Sequence, residues 1–345
     1  MRIAHVVWSL STGGIETMLV DIANEQVKSC EVRIYVINDY YDKCLLSSLD
    51  EKVKICLLNR KPGSKDVLSL MKLNMLLVMY QPGVVHCHQA NLANVIRLPF
   101  KKVLTIHNTH SNPRYFGKYE KLFCISKAVK EHTAEQGFPD GVLIYNGIHT
   151  EKIIPKRDFA LSPGHVRRFV CIGRLHPDKG QWLIIEAFNI LVNQHNQSGF
   201  TIDIIGDGEE RPALEKLTSQ YGLNGFIHFL GRRPRSWIYP HLKDYDLFIL
   251  PSISEGFGLT VAEACAAKVP VLTCDLPGPM EVIDGGRLGM TFKAGDANDL
   301  AHAIEKLLNN DEDLCRIESA YEYVKKNFDV TMTAKKYVDK YYSIK

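Results

Sequence analysis

The sequence predicts an α/β protein made of two doubly wound domains in series. Three observations carry that prediction. The chain has 345 residues, which suits two domains of roughly 150 residues each. Strand-like apolar runs alternate with segments of helical period, the pattern of a parallel sheet covered on both faces. That alternation pauses once, near the middle of the chain, and then resumes. Hydrophobic residues make up 46% and charged residues 23%. These values exclude a disordered chain, a collagen and a disulfide miniprotein. No run approaches the ~18 consecutive apolar residues of a membrane span.

In chain order, Arg2–Ser9 is apolar and β-branched and reads as a first strand, not as a signal peptide. The loop 10–14 follows, with Gly13 and Gly14. After it Ile15, Met18, Leu19, Ile22 and Ala23 recur at helical spacing. Further strands are expected at 32–37, 53–57, 84–87, 103–107, 121–125 and 142–145, with helices at 65–80 and 127–136. The segment 146–166 holds Gly147, Pro155, Pro163 and Gly164 and reads as a linker. The second series has strands at 169–172, 201–205, 227–230, 247–250 and 269–273. Its helices are expected at 181–194, 210–221, about 260–267, 297–308 and 311–327. The domain boundaries are therefore 1–150 and 151–330, and a basic, aromatic tail of about 331–345 is expected to pack back on the first domain. In doubly wound sheets ligands bind beyond the carboxyl ends of the strands, so two facing sheets would put a site in the cleft between them.

The nine cysteines are scattered, with no C-x-x-C pair and an odd total. This reads as reduced cysteine in a cytoplasmic protein without a metal framework. Net charge is +3, but residues 1–157 carry 21 Lys and Arg against 14 Asp and Glu, and the rest carry 21 against 25. A basic half joined to an acidic half fits an anionic partner of the first half, such as a membrane surface or a phosphate-bearing substrate. Chance distribution fits as well.

The segment 251–263, Pro-Ser-Ile-Ser-Glu-Gly-Phe-Gly-Leu-Thr-Val-Ala-Glu, leaves a strand and enters a helix through two glycines. Backbone N–H groups and a helix N-terminus suit a phosphate there. Glu255 and Glu263 bracket the segment with seven residues between them. Carboxylates repel phosphate, but they accept hydrogen bonds from ribose or sugar hydroxyls. The segment 173–180, Gly-Arg-Leu-His-Pro-Asp-Lys-Gly, also joins a strand to a helix. Arg174 offers a planar fork and Lys179 a point charge to phosphate oxygens. Gly206-Asp-Gly208 reads as a tight turn. Gly13-Gly14 allows a close main-chain approach, without a dinucleotide fingerprint. His86 and His88 share one face of a strand; a metal pair lacks an evident third ligand, which leaves a structural role. His107 ends a strand and points toward the ligand edge. Trp182 and Trp237 read as packing residues.

Together these motifs resemble the retaining glycosyltransferases of family 4. Ser-Glu-Gly-Phe-Gly-Leu-x-x-x-Glu at 254–263 is similar to their E-x7-E signature. Gly-Arg-Leu-x-x-x-Lys-Gly at 173–180 and Gly13-Gly-Ile-Glu16 are similar to two of their loops. The likeness runs the whole chain in order and is closest in style to bacterial surface-polysaccharide enzymes. It implies the GT-B fold, two Rossmann-like domains with the acceptor on the first and a nucleotide-sugar donor on the second. It also implies roles: Arg174 and Lys179 on the donor diphosphate, Glu263 on the ribose, Glu255 on the transferred sugar. The amides of Phe257, Gly258 and Leu259 would lie near phosphates and sugar, Gly14 would reach the diphosphate, and His107 would sit by the reacting sugar. His149 stands where the family usually has an acidic residue.

The expected reaction moves a sugar from a nucleotide-diphosphate sugar, UDP-linked before GDP-linked, to a glycan acceptor, lipid-linked, in capsule, O-antigen or exopolysaccharide synthesis. No cofactor and no metal is expected: no Asp-x-Asp metal motif is read anywhere in the chain, and Arg174 and Lys179 take a metal's place. Nucleic acid is not an expected partner. An anionic membrane surface is, through Lys61, Lys65, Lys72, Lys101, Lys102, Arg114, Lys118 and Lys121 around the apolar helix 65–80, with a peripheral location at the inner face of the cell membrane. A nucleotide-sugar epimerase on the same fold and a catalytically silent partner subunit are the alternatives.

Overall fold

The computed structural model describes residues 1–11, 13–159, 165–308 and 314–344. The chain divides into two compact units, Met1–Ile148 with Phe328–Lys345, and His149–Asn327. Unit 1 runs β1 (Arg2–Val7), α1 (Gly14–Gln26), β2 (Glu31–Asn38), α2 (Lys43–Ser47), β3 (Lys54–Arg60), α3 (Leu68–Tyr80), β4 (Val84–Cys87), β5 (Lys102–Ile106), β6 (Lys121–Cys124), α4 (Lys127–Glu135) and β7 (Val142–Leu143). Its seven strands pair in parallel in the order β3-β2-β1-β4-β5-β6-β7. A parallel sheet is covered on both faces, so its strands read as continuous apolar runs. In β1, Ile3, Ala4, Val6 and Val7 are all fully buried, and so is His5 among them.

Unit 2 repeats the scheme with β8 (Arg167–Ile172), α5 (Gln181–Asn189, extended by a π turn over Ile190–Gln194), β9 (Phe200–Ile205), α6 (Arg211–Gln220), β10 (Ile227–Gly231), α7 (Arg235–His241), β11 (Leu247–Leu250), α8 (Leu259–Ala266), β12 (Val271–Cys274), α9 (Pro277–Val282), β13 (Met290–Phe292), α10 (Ala297–Leu308) and α11 (Leu314–Asn327). Its strand order is β10-β9-β8-β11-β12-β13, again all parallel. The last helix, α12 (Val330–Tyr342), belongs to unit 1, where it packs on α1 and buries Ala334, Tyr337 and Tyr341 in the core. In each sheet the strand order reverses once, between β1 and β4 and between β8 and β11. Such switch points open a crevice at the carboxyl ends of the strands.

Several elements differ from the sequence expectation. Where only a packed tail was expected, α12 is a helix. Helices α2, α7 and α9 and strand β13 were not foreseen. Each is seven residues or shorter, so periodicity has nothing to accumulate over; α7 contains Pro240 and α9 opens on Pro-Gly-Pro. Helix α3 starts at Leu68 and not at 65, because Asp66 Oδ1 accepts from the N–H groups of Leu68 and Ser69 and caps it there. The first part of the expected linker is packed structure. Ile148 bridges to Asp329, and a Cβ on Gly147 would stand 2.5 Å from Val330 Cα. Residues 160–164 of that linker, the loop residue 12 and the expected helix start at 311 lie outside the described residues.

Helix α3 carries a further difference. Only Leu73, Leu77 and Tyr80 are buried. Leu68, Met71, Met75 and Met79 are 76%, 62%, 55% and 71% exposed, a single stripe at helical spacing. Trp182 is 39% exposed and is not a packing residue. All nine cysteines are free; Cys44 and Cys315 are exposed.

Candidate functional site

In unit 2 the two motif loops leave the carboxyl ends of β8 and β11, the strands flanking the switch point. Glycines let them touch. Gly180 has φ +62°, and a Cβ there would lie 2.2 Å from Pro251 O. The N–H groups of Ile253 and Ser254 both donate to Asp178 O, at 2.9 and 3.2 Å. Gly206 and Gly208 do more than turn the chain. Added Cβ atoms would fall 1.8 Å from Gly173 O and 2.2 Å from Leu175 O, while Leu175 N–H donates to Asp207 O at 3.0 Å. Three loops are thus stitched edge to edge, and side chains at those glycines would force them apart.

This frame brings Lys179 and Glu255 into an ion pair of 3.0 Å, with side chains 23% and 19% exposed. The other Glu255 oxygen accepts from the Gly256 and Phe257 N–H groups, at 3.1 and 3.5 Å. The carboxylate therefore sits where an anion would meet both the cation and the loop amides. Gly258, at φ +96°, turns the chain into α8, whose first residue is Leu259. Phe257 is buried under this turn, and a Cβ on Gly278 would stand 2.7 Å from Gly256 O. Glu263, one helical turn inside α8, is buried; Arg235 Nη2 lies 3.1 Å and Tyr239 OH 3.3 Å from its Oε1. Arg174 is exposed, and its guanidinium has no partner among the described residues. The sequence left out Arg235 and Tyr239 because α7 itself was not legible.

Gly14 and His107 belong to unit 1. Gly14 is the exposed first residue of α1, behind Gly13 in ordinary extended backbone at φ −163°. His107 follows β5 and is buried. Burial pushes its pKa down to about 4. It does not stand alone. His88 Nδ1 lies 3.3 Å from His107 Nε2, and His88 Nε2 lies 3.1 Å from His5 Nδ1. His5 Nε2 lies 2.8 Å from Gln26 Oε1. His86 pairs with Tyr341 OH at 2.6 Å and Thr105 Oγ1 at 2.7 Å. Burial also lowers His5, to about 4, with the Gln26 contact working against it, and pushes His86 and His88 well below the ordinary histidine value. The third partner that His86 and His88 lacked in sequence is His5. A histidine inside the apolar run of β1 is the signal that could have pointed to it, since a buried polar side chain needs a partner.

His5, His86 and His88 are the one group of such residues, among those described, with ligand atoms within 4.8 Å of one another. Both nitrogens of all three rings already have protein partners. A metal would have to break these contacts inside a closed core, so the arrangement fits a hydrogen-bonded cluster and not a metal centre. Asp-x-Asp spacing does occur twice in the chain. In Asp244-Tyr-Asp246 the second carboxylate is spent on Lys156 at 2.8 Å, His165 at 2.8 Å and the Arg168 N–H at 2.9 Å, at the amino end of β11 and away from the motif loops. Asp311-Glu-Asp313 lies outside the described residues. His149 Nδ1 contacts Glu151 at 3.2 Å, at the first residue of unit 2.

Two family models match the chain in tandem, one described as glycosyltransferase family 4 over residues 12–152 and one as glycosyl transferases group 1 over 154–324. An uncharacterized glycosyltransferase of Methanocaldococcus jannaschii is 27% identical over 66% of this chain and 63% of its own length. The lipopolysaccharide core biosynthesis glycosyltransferase LpsE of Rhizobium meliloti is 28% identical over 56% of this chain and 55% of its own. The chain thus spans less than two thirds of either relative. The HepE protein of Anabaena, solved in complex with UDP-glucose, superposes with a TM-score of 0.82 at 19% identity, over 99% of this chain and 100% of that one. That likeness establishes the two-domain fold.

Proposed function

The chain belongs to the glycosyltransferases of the GT-B fold, a family 4 module followed by a group 1 module, and on that premise we propose that it moves a sugar from a nucleoside-diphosphate sugar to a glycan acceptor in bacterial surface-polysaccharide synthesis. The observation that carries this reading is the Lys179–Glu255 pair, held at 3.0 Å between two stitched loops at the switch point of unit 2. When a nucleoside diphosphate leaves, its outer phosphate gains negative charge. Lys179, the free fork of Arg174, the amides of Phe257, Gly258 and Leu259 and the start of α8 supply fixed positive potential for it. Preorganised charge of this kind is worth about 3 kcal/mol per donor in the transition state. Glu255 must swing off Lys179 when the diphosphate arrives, which frees its carboxylate to accept from hydroxyls of the transferred sugar. Glu263 accepts from the ribose, Gly14 approaches the diphosphate, and His107 faces the reacting sugar. The leaving phosphate takes the acceptor's proton on the same face, so the anomeric configuration is retained and no metal is required. UDP is favoured over GDP as the carrier by the HepE likeness.

A lipid-linked acceptor is favoured by α3. Its exposed stripe of Leu68, Met71, Met75 and Met79 lies beside Lys65 and Lys72 in the basic half of the chain. Apolar side chains entering the headgroup region and lysines meeting anionic lipids are complementary contributions to peripheral docking. No helix among the described residues is long and apolar enough to cross a membrane.

The test is incubation with labelled UDP- and GDP-sugars and lipid-linked glycan acceptors, with and without EDTA. Label moving to the acceptor with the donor's anomeric configuration, at a rate EDTA leaves intact, is the expected result. Sugar isomerisation without transfer would favour an epimerase, and binding without turnover a silent subunit; either overturns the proposal. Loss of activity in EDTA, restored by manganese, would overturn the metal-free mechanism.

A further inference from the structure

Among the buried polar groups of unit 1, four histidines stand out: His5, His86, His88 and His107, each 8% exposed or less. Four rings offer eight nitrogens. Among the described residues, seven have a polar partner, and the one without is His107 Nδ1. Three of the rings form a string that starts at an amide. Gln26 Oε1 meets His5 Nε2, His5 Nδ1 meets His88 Nε2, and His88 Nδ1 meets His107 Nε2.

The string has a logic that single contacts lack. Burial keeps these imidazoles neutral above about pH 4 to 5. A neutral imidazole has one N–H and one bare nitrogen. Fixing one hydrogen therefore fixes all of them. Gln26 Oε1 can only accept, so His5 Nε2 carries the hydrogen and His5 Nδ1 is bare. A bare His5 Nδ1 requires a hydrogen on His88 Nε2, which leaves His88 Nδ1 bare. That in turn requires a hydrogen on His107 Nε2. The last nitrogen, His107 Nδ1, ends as a lone pair. Reversing the amide would reverse every ring and turn His107 Nδ1 into a donor.

The other end of the amide meets the final helix. Gln26 Nε2 donates to Tyr341 OH at 3.4 Å. The Tyr341 hydroxyl can then donate to His86 Nδ1, His86 Nε2 to Thr105 Oγ1, and Thr105 to Tyr337 OH at 3.1 Å. Tyr337 and Tyr341 both come from α12, so the C-terminal helix closes the network from which the string begins.

We propose that Gln26, His5 and His88 are positioning residues that hold His107 in the tautomer with a bare Nδ1, so that His107 meets its ligand as a hydrogen-bond acceptor for a hydroxyl and never as a donor to a carbonyl or phosphate oxygen. That the hydroxyl is a sugar's rests on the proposed function; the tautomer does not. Behind metal-bound imidazoles, contacts that fix the tautomer are worth about 10- to 100-fold in metal affinity or activity, and the lower end of that range is the effect expected here.

The test is ring-nitrogen NMR of the full-length chain labelled with 15N-histidine, at pH 7.5 and without substrate. Long-range proton–nitrogen correlations report which nitrogen of each ring carries the hydrogen. The expected result is Nε2–H and bare Nδ1 in His5, His88 and His107 alike. In Gln26→Leu the string loses its anchor, and His107 should show averaged tautomers with a roughly tenfold lower kcat and little change in donor KM. Gln26→Glu, which keeps an acceptor in place, should restore both. A hydrogen on His107 Nδ1 in the wild-type chain, or a His107 spectrum unaltered by Gln26→Leu, overturns the proposal. If Gln26→Leu does not fold, the wild-type spectrum alone decides. A chain with the expected tautomers and no sugar transfer would instead sink the proposed function and leave the relay standing.

Discussion

The two units place polar groups at equivalent points, beside the switch between β1 and β4 in one sheet and between β8 and β11 in the other, and fill them with opposite chemistry. In unit 1 the groups are rings projecting from strands and their ends, buried, neutral and hydrogen-bonded within the unit. In unit 2 they are charged side chains on loops, partly exposed, with Lys179 and Glu255 paired and Arg174 open to solvent. The contrast follows from what burial costs. Desolvating a full charge is expensive unless it is paired, whereas a neutral imidazole needs only hydrogen-bond partners. A sheet edge can therefore bury a hydrogen-bonded relay in its strands, but it must carry cations for a diphosphate on loops that reach water. Unit 1 is built to fix the direction of hydrogen bonds, and unit 2 to supply charge.

The largest effect expected from this contrast is in unit 2. Lys179→Ala should lower kcat about 100-fold or more while changing donor affinity far less, because the cation matters most as the leaving group gains charge. Steady-state kinetics over a donor titration reads both quantities. A near-normal kcat would show that the charged site is not the chemical one.

Acid should separate the units next. His5 and His107 have folded pKa values of about 4, against about 6.5 unfolded. Both states are neutral above pH 6.5, so the stability of unit 1 is whole there. As pH falls from 6.5 toward 4 the unfolded chain takes up protons that the folded chain refuses. Each histidine then removes about 1.4 kcal/mol per pH unit. In unit 2, Asp246 also loses its contribution in acid, but in a lower pH window. Its burial works against ionisation, but Lys156, the Arg168 N–H and His165 together hold its pKa below the ordinary value. Its contribution is therefore whole above about pH 4 and fades only as pH drops through that lower value. Hydrogen exchange followed by mass spectrometry should show segments of unit 1 losing protection between pH 6.5 and 4 before those of unit 2. Simultaneous loss, or unit 2 opening first, would break the comparison.

These differences also explain what the sequence could convey. The loops of unit 2 are contiguous runs, 173–180 and 251–263, and their glycines, cations and carboxylates can be read in place. The relay of unit 1 draws on residues 5, 26, 88 and 107, with residues 86, 105, 337 and 341 behind it. Only a folded sheet and a returning helix bring these together. His107 and the His86–His88 pair were visible as single features, but the connection through His5 was not, because nothing local distinguishes His5 from its apolar neighbours except its chemistry. Likewise Arg235 beside Glu263 was hidden by a seven-residue helix with an internal proline. The strands were legible because parallel sheets demand apolar runs. The exposed side of α3 was not, because apolar residues on both faces give no sign of which face the core will take.

The smallest effect lies on that helix. Basic residues near an anionic surface contribute about 1 kcal/mol each. Binding to anionic vesicles should therefore be measurable in low salt, weaken steeply as salt is added, and nearly vanish with neutral lipid. In co-sedimentation, the double variant Met71→Ser, Met75→Ser should bind less than wild type at every salt concentration. Equal binding by the variant, or a wild-type chain that stays in the supernatant with anionic vesicles, would remove the membrane from the proposal and favour a soluble acceptor.

The central claim, that the charged loops of unit 2 hold a nucleoside diphosphate, is tested most directly by calorimetric titration of the full-length chain with UDP, and with GDP alongside. Charge-assisted hydrogen bonds are worth about 1.5 to 3 kcal/mol. One nucleotide should therefore bind saturably, Arg174→Ala should weaken it tenfold or more, and Arg287→Ala, which removes an exposed cation of the same unit, should leave it unchanged. No binding of either nucleotide at millimolar concentration, or equal losses in Arg174→Ala and Arg287→Ala, would contradict the claim.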